Sequence, residues 1–288
     1  MKKLLILSGK GGTGKTTTAA AFLRFSECRA MADCDVDAPN LHIVADIKSE
    51  GEKIPFLGSD KAHINKEKCV GCKKCIHYCR FDAIDFKDGK CEVNLFACEG
   101  CAVCEAVCPY DAVSMQEDIS GEITLFDGAK TFSTAKLKMG RGNSGKLVTE
   151  VKNTLFKNSD ADLAIIDGSP GIGCPVIASV TGTDMVLIVS EPSLSGISDL
   201  ERIIETAEIL NVPVAVCVNK FDTSPKKTED IEKLCREKNI PFVGKIPYDK
   251  AAGKAVNEGK SLADFPCKAH DALLEVYKNT MKLLDSLS

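Results

Sequence analysis

A glycine-rich loop near the start of the chain most restricts how this sequence can fold. Residues 9–16, GKGGTGKT, match the pattern G-x-x-x-x-G-K-[ST] and follow the short apolar run KLLIL at 3–7. In this pattern backbone N–H groups turn towards phosphates, the lysine neutralises their charge and the hydroxyl binds Mg²⁺. Such a loop joins a buried strand to a helix. The residues assigned to the phosphate site are Gly9, Gly11, Gly12, Thr13, Gly14, Lys15, Thr16 and Thr17.

The same glycines also fit a second pattern. Gly9, Gly11 and Gly14 spell G-x-G-x-x-G, and Asp33 lies about 20 residues beyond them, as in a dinucleotide site. Lys15 and Thr16 are not required by a dinucleotide site, whereas a phosphate loop needs both. A second acidic strand end, LAIIDGSPG at 163–171, supplies Asp167 for the Mg²⁺ side of a phosphate loop. We therefore favour the phosphate loop.

Apolar runs and amphipathic segments alternate through most of the chain. This alternation predicts an α/β fold, a doubly wound and mostly parallel sheet covered by helices. The predicted strands are 3–7, 163–167, 185–190 and 214–219. The predicted helices are 16–25, 197–210 and 271–287.

Composition narrows the class of protein. Fifteen cysteines among 288 residues predict metal binding, because a reducing compartment does not keep a disulfide framework. The apolar run before Ser8 has four residues, fewer than the ~7 of a signal peptide, and no stretch reaches the ~18 of a spanning helix. The net charge of −4 provides no basic field for nucleic acid. We expect a cytoplasmic protein with no nucleic-acid partner and no stable membrane insertion.

A cysteine-rich repeat interrupts the α/β pattern. CVGCKKCIHYCRFDAI at 69–84 recurs 29 positions later as CEGCAVCEAVCPYDAV at 98–113, and each copy has C-x₂-C-x₂-C-x₃-C spacing. This is the ferredoxin pattern for two [4Fe–4S] clusters, in which the fourth cysteine of each run binds the other cluster. The first predicted ligand set is Cys69, Cys72, Cys75 and Cys108. The second is Cys98, Cys101, Cys104 and Cys79.

These sequences place a small α+β, ferredoxin-like domain at 57–118, inserted into a nucleotide-binding domain made of 1–56 and 119–288. Two zinc ions could use the same eight ligands, since C-x₂-C pairs also form Cys₄ sites. The doubled run is more typical of clusters. Arg80 stands where the second repeat has Pro109, and a cation there should raise the potential of a nearby cluster.

The phosphate loop carries two lysines, and this form resembles the loop of the MinD/ParA/nitrogenase-iron-protein ATPases. The similarity continues at DCDVDAPNL (33–41), DGSPG (167–171), VNKFD (218–222) and IPYD (246–249). These segments span the whole predicted α/β part. The resemblance implies ATP and Mg²⁺ as ligands, ATP hydrolysis and a homodimer that closes on ATP.

The resemblance also implies a role for each matching position. Lys10 would cross the dimer interface to the nucleotide of the other subunit, like an arginine finger. Asp35 would orient the attacking water, and Asp33 would belong to the Mg²⁺ shell. The first switch would contain Asn40, and the adenine would lie against Asn219 and Pro247. NKFD is also similar to the N-K-x-D guanine signature of GTPases, with Asp222 as the reader.

Three functions compete for such a chain. The first is an electron carrier coupled to ATP hydrolysis, and the second is an iron–sulfur or metal-cofactor assembly factor or carrier. The third is a spatial organiser on a membrane or nucleoid, which the absence of a basic terminal helix disfavours. Carriers of this family hold one cluster with a C-x-x-C pair from each subunit, and residues 119–288 contain no such pair. We therefore favour nucleotide-gated electron transfer to an unidentified redox or cofactor-assembly protein. Cys34 and Cys174 have no assigned role.

Overall fold

The structure, a computed structural model, describes residues 1–44, 47 and 50–287. Strands and helices alternate along most of this length. The strands are β1 Lys2–Leu7, β2 Ala30–Asp33, β3 Glu52–Leu57, β4 Lys61–Ile64, β5 Ile84–Lys87, β6 Lys90–Val93, β7 Val113–Gln116, β8 Ile119–Phe126, β9 Thr131–Leu137, β10 Leu163–Asp167, β11 Met185–Ser190, β12 Val214–Asn219 and β13 Phe242–Ile246. The helices are α1 Lys15–Phe25, α2 Leu41–Val44, α3 Lys74–Tyr78, α4 Val103–Ala106, α5 Ser144–Asn158, α6 Cys174–Val180, α7 Leu194–Ile209, α8 Pro225–Glu237, α9 Lys250–Asn257 and α10 Lys268–Ser286.

The chain divides into two compact units. The first unit comprises Met1–Ile54, Ile123–Lys136 and Ser144–Ser288, and the second comprises Pro55–Glu122 and Leu137–Asn143. The boundaries fall inside β3 and β8 and at the end of β9. The sequence analysis assigned 55–56, 119–122 and 137–143 to the nucleotide-binding part, whereas all three segments belong to the second unit. The difference arises because β3, β8 and β9 continue through these boundaries.

A nine-stranded sheet runs in the order β13-β12-β11-β1-β10-β2-β9-β8-β3. The first seven of these strands pair in parallel with their neighbours. All six residues of β11 are buried, as in a parallel sheet that is covered on both faces. The predicted α/β class with a mostly parallel sheet is confirmed.

Helices α1 and α10 pack together in the core of the first unit, where the Phe22 and Tyr277 rings meet edge to face at 5.1 Å between centroids. Helix α5 contributes a buried lysine to the same unit. Lys152 Nζ donates hydrogen bonds to the carbonyl oxygens of Ala178, Ser179 and Thr181, at 2.8, 2.8 and 2.5 Å. Its charge therefore lies at the carboxyl end of α6, where carbonyl groups favour a cation.

The second unit has an internal pseudo-symmetry with the same 29-residue offset as the cysteine repeat. Strand β4 corresponds to β6, β5 to β7 and α3 to α4. Strand β4 pairs with β7, and β5 pairs with β6, both antiparallel. Left-handed backbone recurs at matching places, with φ of 60° at Lys73 and 61° at Ala102, and 48° at Asp82 and 47° at Asp111.

No helix within residues 1–44, 47 and 50–287 is both long enough and apolar enough to cross a membrane.

Candidate functional site

The glycine loop lies between the carboxyl end of β1 and the amino end of α1, and Lys15 begins that helix. Gly12 and Gly14 have φ of 79° and 98°, which favours glycine. At Gly14 a Cβ atom would also lie 2.3 Å from Asn219 Nδ2. Gly9 is restricted by packing, since its Cβ atom would lie 2.0 Å from that of Asp199. A loop so formed at a helix N-terminus is a ready anion site.

Two carboxylates and one lysine converge below this loop. Asp33 and Asp167 occupy paired positions at the ends of the adjacent strands β2 and β10. Lys15 Nζ lies 2.5 Å from Asp167 Oδ1, and both side chains are buried. Burial, together with the negative charge of Asp167, raises the pKa of Asp33 to about 7. The charge of the loop lysine is therefore paired with a buried carboxylate at the end of β10.

The two carboxylates have different hydrogen-bond partners. Asp33 Oδ1 accepts from the backbone N–H of Asp35 at 3.0 Å, and Oδ2 accepts from those of Asn40 and Leu41, both at 2.9 Å. Asp33 therefore fixes the acidic loop that follows β2. Asp167 Oδ2 is buried and accepts no hydrogen bond from the described part of the chain. A buried carboxylate oxygen without a hydrogen-bond donor fits a Mg²⁺ ligand. Thr16, the other predicted ligand from the loop, lines the loop cavity.

A cavity of about 400 Å³ lies over the phosphate loop. Its wall includes residues 10–17 of the phosphate loop. Asp35 and Asn40 from the loop after β2, and Pro170 from the loop after β10, also belong to the wall. Burial raises the pKa of the half-buried Asp35. The predicted residues of the loop and of the first switch therefore surround one space.

A larger cavity of about 770 Å³ shares Gly12, Gly14 and Thr17 with the first. Asn219 and Pro247 line it, and their contact with a base stays a prediction. Asn219 Nδ2 also donates to the Thr13 carbonyl at 2.7 Å, so its amide supports the phosphate loop. Sequence reasoning did not foresee this bond, because it joins residues 206 positions apart.

The Asp222 carboxylate accepts a hydrogen bond from a neighbouring loop. Its Oδ1 accepts the backbone N–H of Tyr248 at 2.7 Å, which holds the loop after β13. The neighbouring Lys220 donates from Nζ to the Gly12 carbonyl at 2.8 Å. The NKFD segment therefore braces two loops that line the larger cavity.

The Lys10 side chain contacts residues of its own chain. Its ammonium forms an ion pair with Glu191 and lies 3.1 Å from Ser195 Oγ and 3.4 Å from Ser193 Oγ. These partners lie after β11 and in the first turn of α7. The sequence analysis did not identify Glu191 as a partner of the loop.

The second unit contains two cavities, and each is lined by one of the predicted sets of four cysteines. The first cysteine cavity contains Cys69, Cys72, Cys75 and Cys108. The second cysteine cavity contains Cys79, Cys98, Cys101 and Cys104. Each cavity therefore takes three cysteines from one run and the fourth from the other.

The surroundings of the two cavities match. The backbone N–H of Ala83 donates to Cys79 Sγ and that of Ala112 to Cys108 Sγ, both at 3.4 Å. Lys61 Nζ donates to the Cys98 carbonyl, and Lys90 Nζ donates to the Cys69 carbonyl. Four thiols, one of which accepts a backbone N–H in each cavity, are a donor set that fits a [4Fe–4S] cluster.

Across the described residues, no group of three or more His, Cys, Asp or Glu side chains could hold a metal ion as the structure stands. A [4Fe–4S] cluster takes its four thiolates on four different iron atoms, so its ligands need not converge on one ion.

The structure adds a fifth cysteine to the first cysteine cavity. Cys91 on β6 is buried and lines this cavity together with the predicted set. The sequence analysis missed it because the C-x₂-C runs do not include it. Extending the 29-residue offset upstream, from Lys61 and Asn65 to Lys90 and Asn94, would have placed it beside the repeat. Cys34 and Cys217 are buried in the first unit, and Cys174 is exposed.

Comparisons with known proteins agree with the arrangement around the loop. A family model described as the CobQ/CobB/MinD/ParA nucleotide binding domain matches residues 4–262. An uncharacterized protein of Methanocaldococcus jannaschii is 36% identical over 98% of this chain and 97% of its own length. An iron-sulfur cluster carrier protein of that organism is 22% identical, over 98% of this chain and 85% of its own.

Among solved structures, the septum site-determining protein MinD of Pyrococcus horikoshii OT3, complexed with Mg-ADP, has a TM-score of 0.59 at 16% identity. It covers 100% of this chain and 98% of its own, and this likeness supports the α/β fold. The family model reaches from β1 to the turn before α10, so it includes the phosphate loop, both acidic strand ends and the NKFD segment. The predicted MinD/ParA resemblance is confirmed, and the chain belongs to the CobQ/CobB/MinD/ParA nucleotide-binding family.

Proposed function

We propose that this protein is a homodimeric ATPase switch that holds two [4Fe–4S] clusters and controls electron transfer to a partner protein. The observation that carries the proposal is the pair of cysteine cavities. Each has its own complete set of four cysteines, in a chain whose other unit has a family phosphate loop. Retained clusters and a nucleotide switch are the two parts that gated electron transfer needs.

In the nucleotide site, the loop backbone and Lys15 bind the phosphates, and Thr16 and Asp167 would hold Mg²⁺. The ion supplies positive charge to the phosphate oxygens. Asp35 orients a water molecule towards the γ-phosphorus while the bond to the leaving oxygen breaks. Membership of Asp33 in the Mg²⁺ shell stays a prediction, because its oxygens already accept three backbone N–H groups.

Lys10 adds a second charge at the γ-phosphate of the partner subunit, and this contact makes hydrolysis depend on the dimer. To reach it, Lys10 must leave Glu191 and the two serines that hold it in its own chain. Binding of ATP and association of two subunits together replace those contacts.

In the second unit, the eight predicted cysteines would hold the clusters, which accept and donate single electrons when bound. Cys69, Cys75 and Cys98 are buried, while Cys72 and Cys101 are exposed. Thiols at buried positions favour retention, because release would require each cavity to open. The exposed positions would bring one edge of each cluster close to a docked partner.

The names of two relatives favour a second function. Proteins of M. jannaschii and Pyrococcus horikoshii, 22% and 26% identical to this chain, are named iron-sulfur cluster carrier proteins. A carrier of this kind would treat the cluster as cargo and would pass it to an apoprotein.

One experiment separates the two functions. The protein is purified without oxygen, labelled with ⁵⁵Fe and reduced. It is then mixed with apo-ferredoxin or with oxidised cytochrome c, each in the presence of ATP or of ADP. Electron transfer predicts that the label stays with this chain and that the rate of cytochrome reduction depends on the nucleotide. Asp35→Ala, which should bind ATP without hydrolysing it, is the control. Movement of the label into apo-ferredoxin would support the carrier instead.

A further inference from the structure

The first cysteine cavity contains one more thiol than a [4Fe–4S] cluster needs. Cys91 lines this cavity together with Cys69 and Cys75, and the three side chains belong to the same buried cluster. Cys91 is 1% exposed. Cys91 therefore lies next to two predicted ligands.

The second cysteine cavity offers an internal comparison. Under the 29-residue offset Cys91 on β6 corresponds to Ala62 on β4, which lines the second cavity. The flanking residues match, since Lys61 and Lys90 donate to equivalent cysteine carbonyls. The two cavities therefore share a frame, and this position provides a thiol in the first and a methyl group in the second.

We propose that Cys91 is a reserve iron ligand, which can replace Cys75 on its iron atom in the first cavity. The inference rests on the proposed function, because it assumes that the cavities hold clusters. In the exchange the bond from iron to Cys75 Sγ breaks and Cys75 Sγ takes up a proton. The Cys91 thiol loses a proton and forms the new bond to iron. The oxidation state of the cluster does not change.

Because Cys91 and Cys75 line the same cavity, the exchange keeps the cluster within that cavity. In the second cavity the methyl group of Ala62 provides no donor atom. The first site should therefore tolerate loss of a ligand that the second site does not tolerate.

The test compares Cys75→Ala with its counterpart in the second cavity, Cys104→Ala, in the full chain purified without oxygen. Wild-type protein should contain about eight iron atoms per chain. We expect Cys75→Ala to keep about eight and Cys104→Ala to keep about four. The double variant Cys75→Ala/Cys91→Ala should fall to about four. Iron content is measured together with the electron paramagnetic resonance spectrum of the reduced protein.

Several outcomes would overturn the proposal. One is that Cys75→Ala loses as much iron as Cys104→Ala, and another is that it shows the signal of a three-iron cluster. It would also be overturned if Cys75→Ala failed to fold while Cys104→Ala folded. Should neither single variant fold, Ala62→Cys in the Cys104→Ala chain must restore folding and iron, since it rebuilds the reserve thiol. No restoration would again contradict the proposal.

The wild-type measurement separates this inference from the proposed function. If the wild-type protein contains no iron and no sulfide, it holds no clusters and both proposals are wrong. If the wild-type protein contains about eight iron atoms but Cys75→Ala contains about four, only the reserve-ligand proposal is wrong.

Discussion

Lys10 of the phosphate loop forms an ion pair with Glu191 of its own chain. The lysine that we propose acts on the partner subunit is therefore bound within its own subunit. Both side chains are partly exposed, which limits such a pair to about 0.2–1 kcal/mol. Releasing Lys10 should therefore favour the dimer modestly.

We expect Glu191→Gln to tighten ATP-dependent dimerisation about two- to thirty-fold, because the amide keeps the shape but not the charge and each dimer contains two such pairs. Sedimentation of the protein in ATP, at several concentrations, measures the change. Asp199→Asn, next to Gly9, is the control for altered charge near the loop. Weaker dimerisation of Glu191→Gln would show that Glu191 assists Lys10 rather than restraining it.

Mixed dimers test whether the subunits share Lys10. Lys10→Ala should bind Mg-ATP but neither hydrolyse it nor dimerise, whereas Asp35→Ala should bind and dimerise without hydrolysis. A mixed dimer contains one complete site, because the Asp35→Ala chain supplies Lys10 to the intact Asp35 of the other. ATPase activity should therefore reappear on mixing.

The control for this experiment is Lys15→Ala, which should lose nucleotide binding. It should restore no activity when mixed with Asp35→Ala. Inactive mixed dimers of Lys10→Ala and Asp35→Ala would contradict the sharing.

The position of Asp222 predicts the base. Its carboxylate accepts the Tyr248 N–H and so is already engaged in holding a loop. We expect ATP to bind more tightly than GTP in competition experiments. Asp222→Ala should weaken both nucleotides by a similar factor, because it loosens the loop and removes no base contact. Selective loss of GTP binding would instead identify Asp222 as a guanine reader.

Crossed ligation of the cysteine cavities is testable by alkylation. Cys79 lines the cavity that contains the exposed Cys101, although Cys72 is nearer to it in sequence. In Cys79→Ser we expect iodoacetamide to modify Cys101 while Cys72 stays protected. Cys108→Ser should give the reverse pattern, with Cys72 modified. Peptide mass spectrometry reads both sites in one sample. Ligation within each run would exchange the two results.

Lys152 predicts a rise in stability with pH. Burial lowers the pKa of this lysine from 10.5 to about 8, whereas the unfolded chain keeps the proton up to about 10.4. Between these values the unfolded state binds more protons, so the free energy of unfolding should increase with pH, by up to about 3 kcal/mol.

Denaturation in guanidinium chloride between about pH 7.5 and 10 measures the Lys152 effect. Lys152→Met, with a similar length and no titration, should lack this rise. If both proteins have the same slope, the three carbonyl oxygens keep the lysine charged throughout.

Local sequence was sufficient for much of the first unit. Continuous apolar runs predicted β1, β10, β11 and β12, because strands buried on both faces contain few polar residues. The loop residues were recognisable since glycine, lysine and threonine must stand at fixed spacing to surround a phosphate. The grouping of cysteines into two sets followed from the same kind of spacing, and each set lines one cavity.

Contacts between distant parts of the chain were not predictable in this way. The partnership of Lys10 with Glu191 joins residues with no shared motif, and many acidic residues were equally eligible. Cys91 lies on a strand outside the cysteine runs, and the folding of the second unit brings it to the cavity. The second unit also includes 137–143, because the boundary falls at the last residue of β9, where the strand pattern continues without a break.

The crossed arrangement of the second unit has a consequence for its inheritance. Each cavity takes three cysteines from one copy of the repeat and one from the other, and each copy's lysine holds a carbonyl of the opposite run. A single copy closes no cavity, but two separate copies would close both. A change in either copy therefore affects both cavities at once. The exchange of Ala62 for Cys91 is a difference that these tied copies have nevertheless acquired.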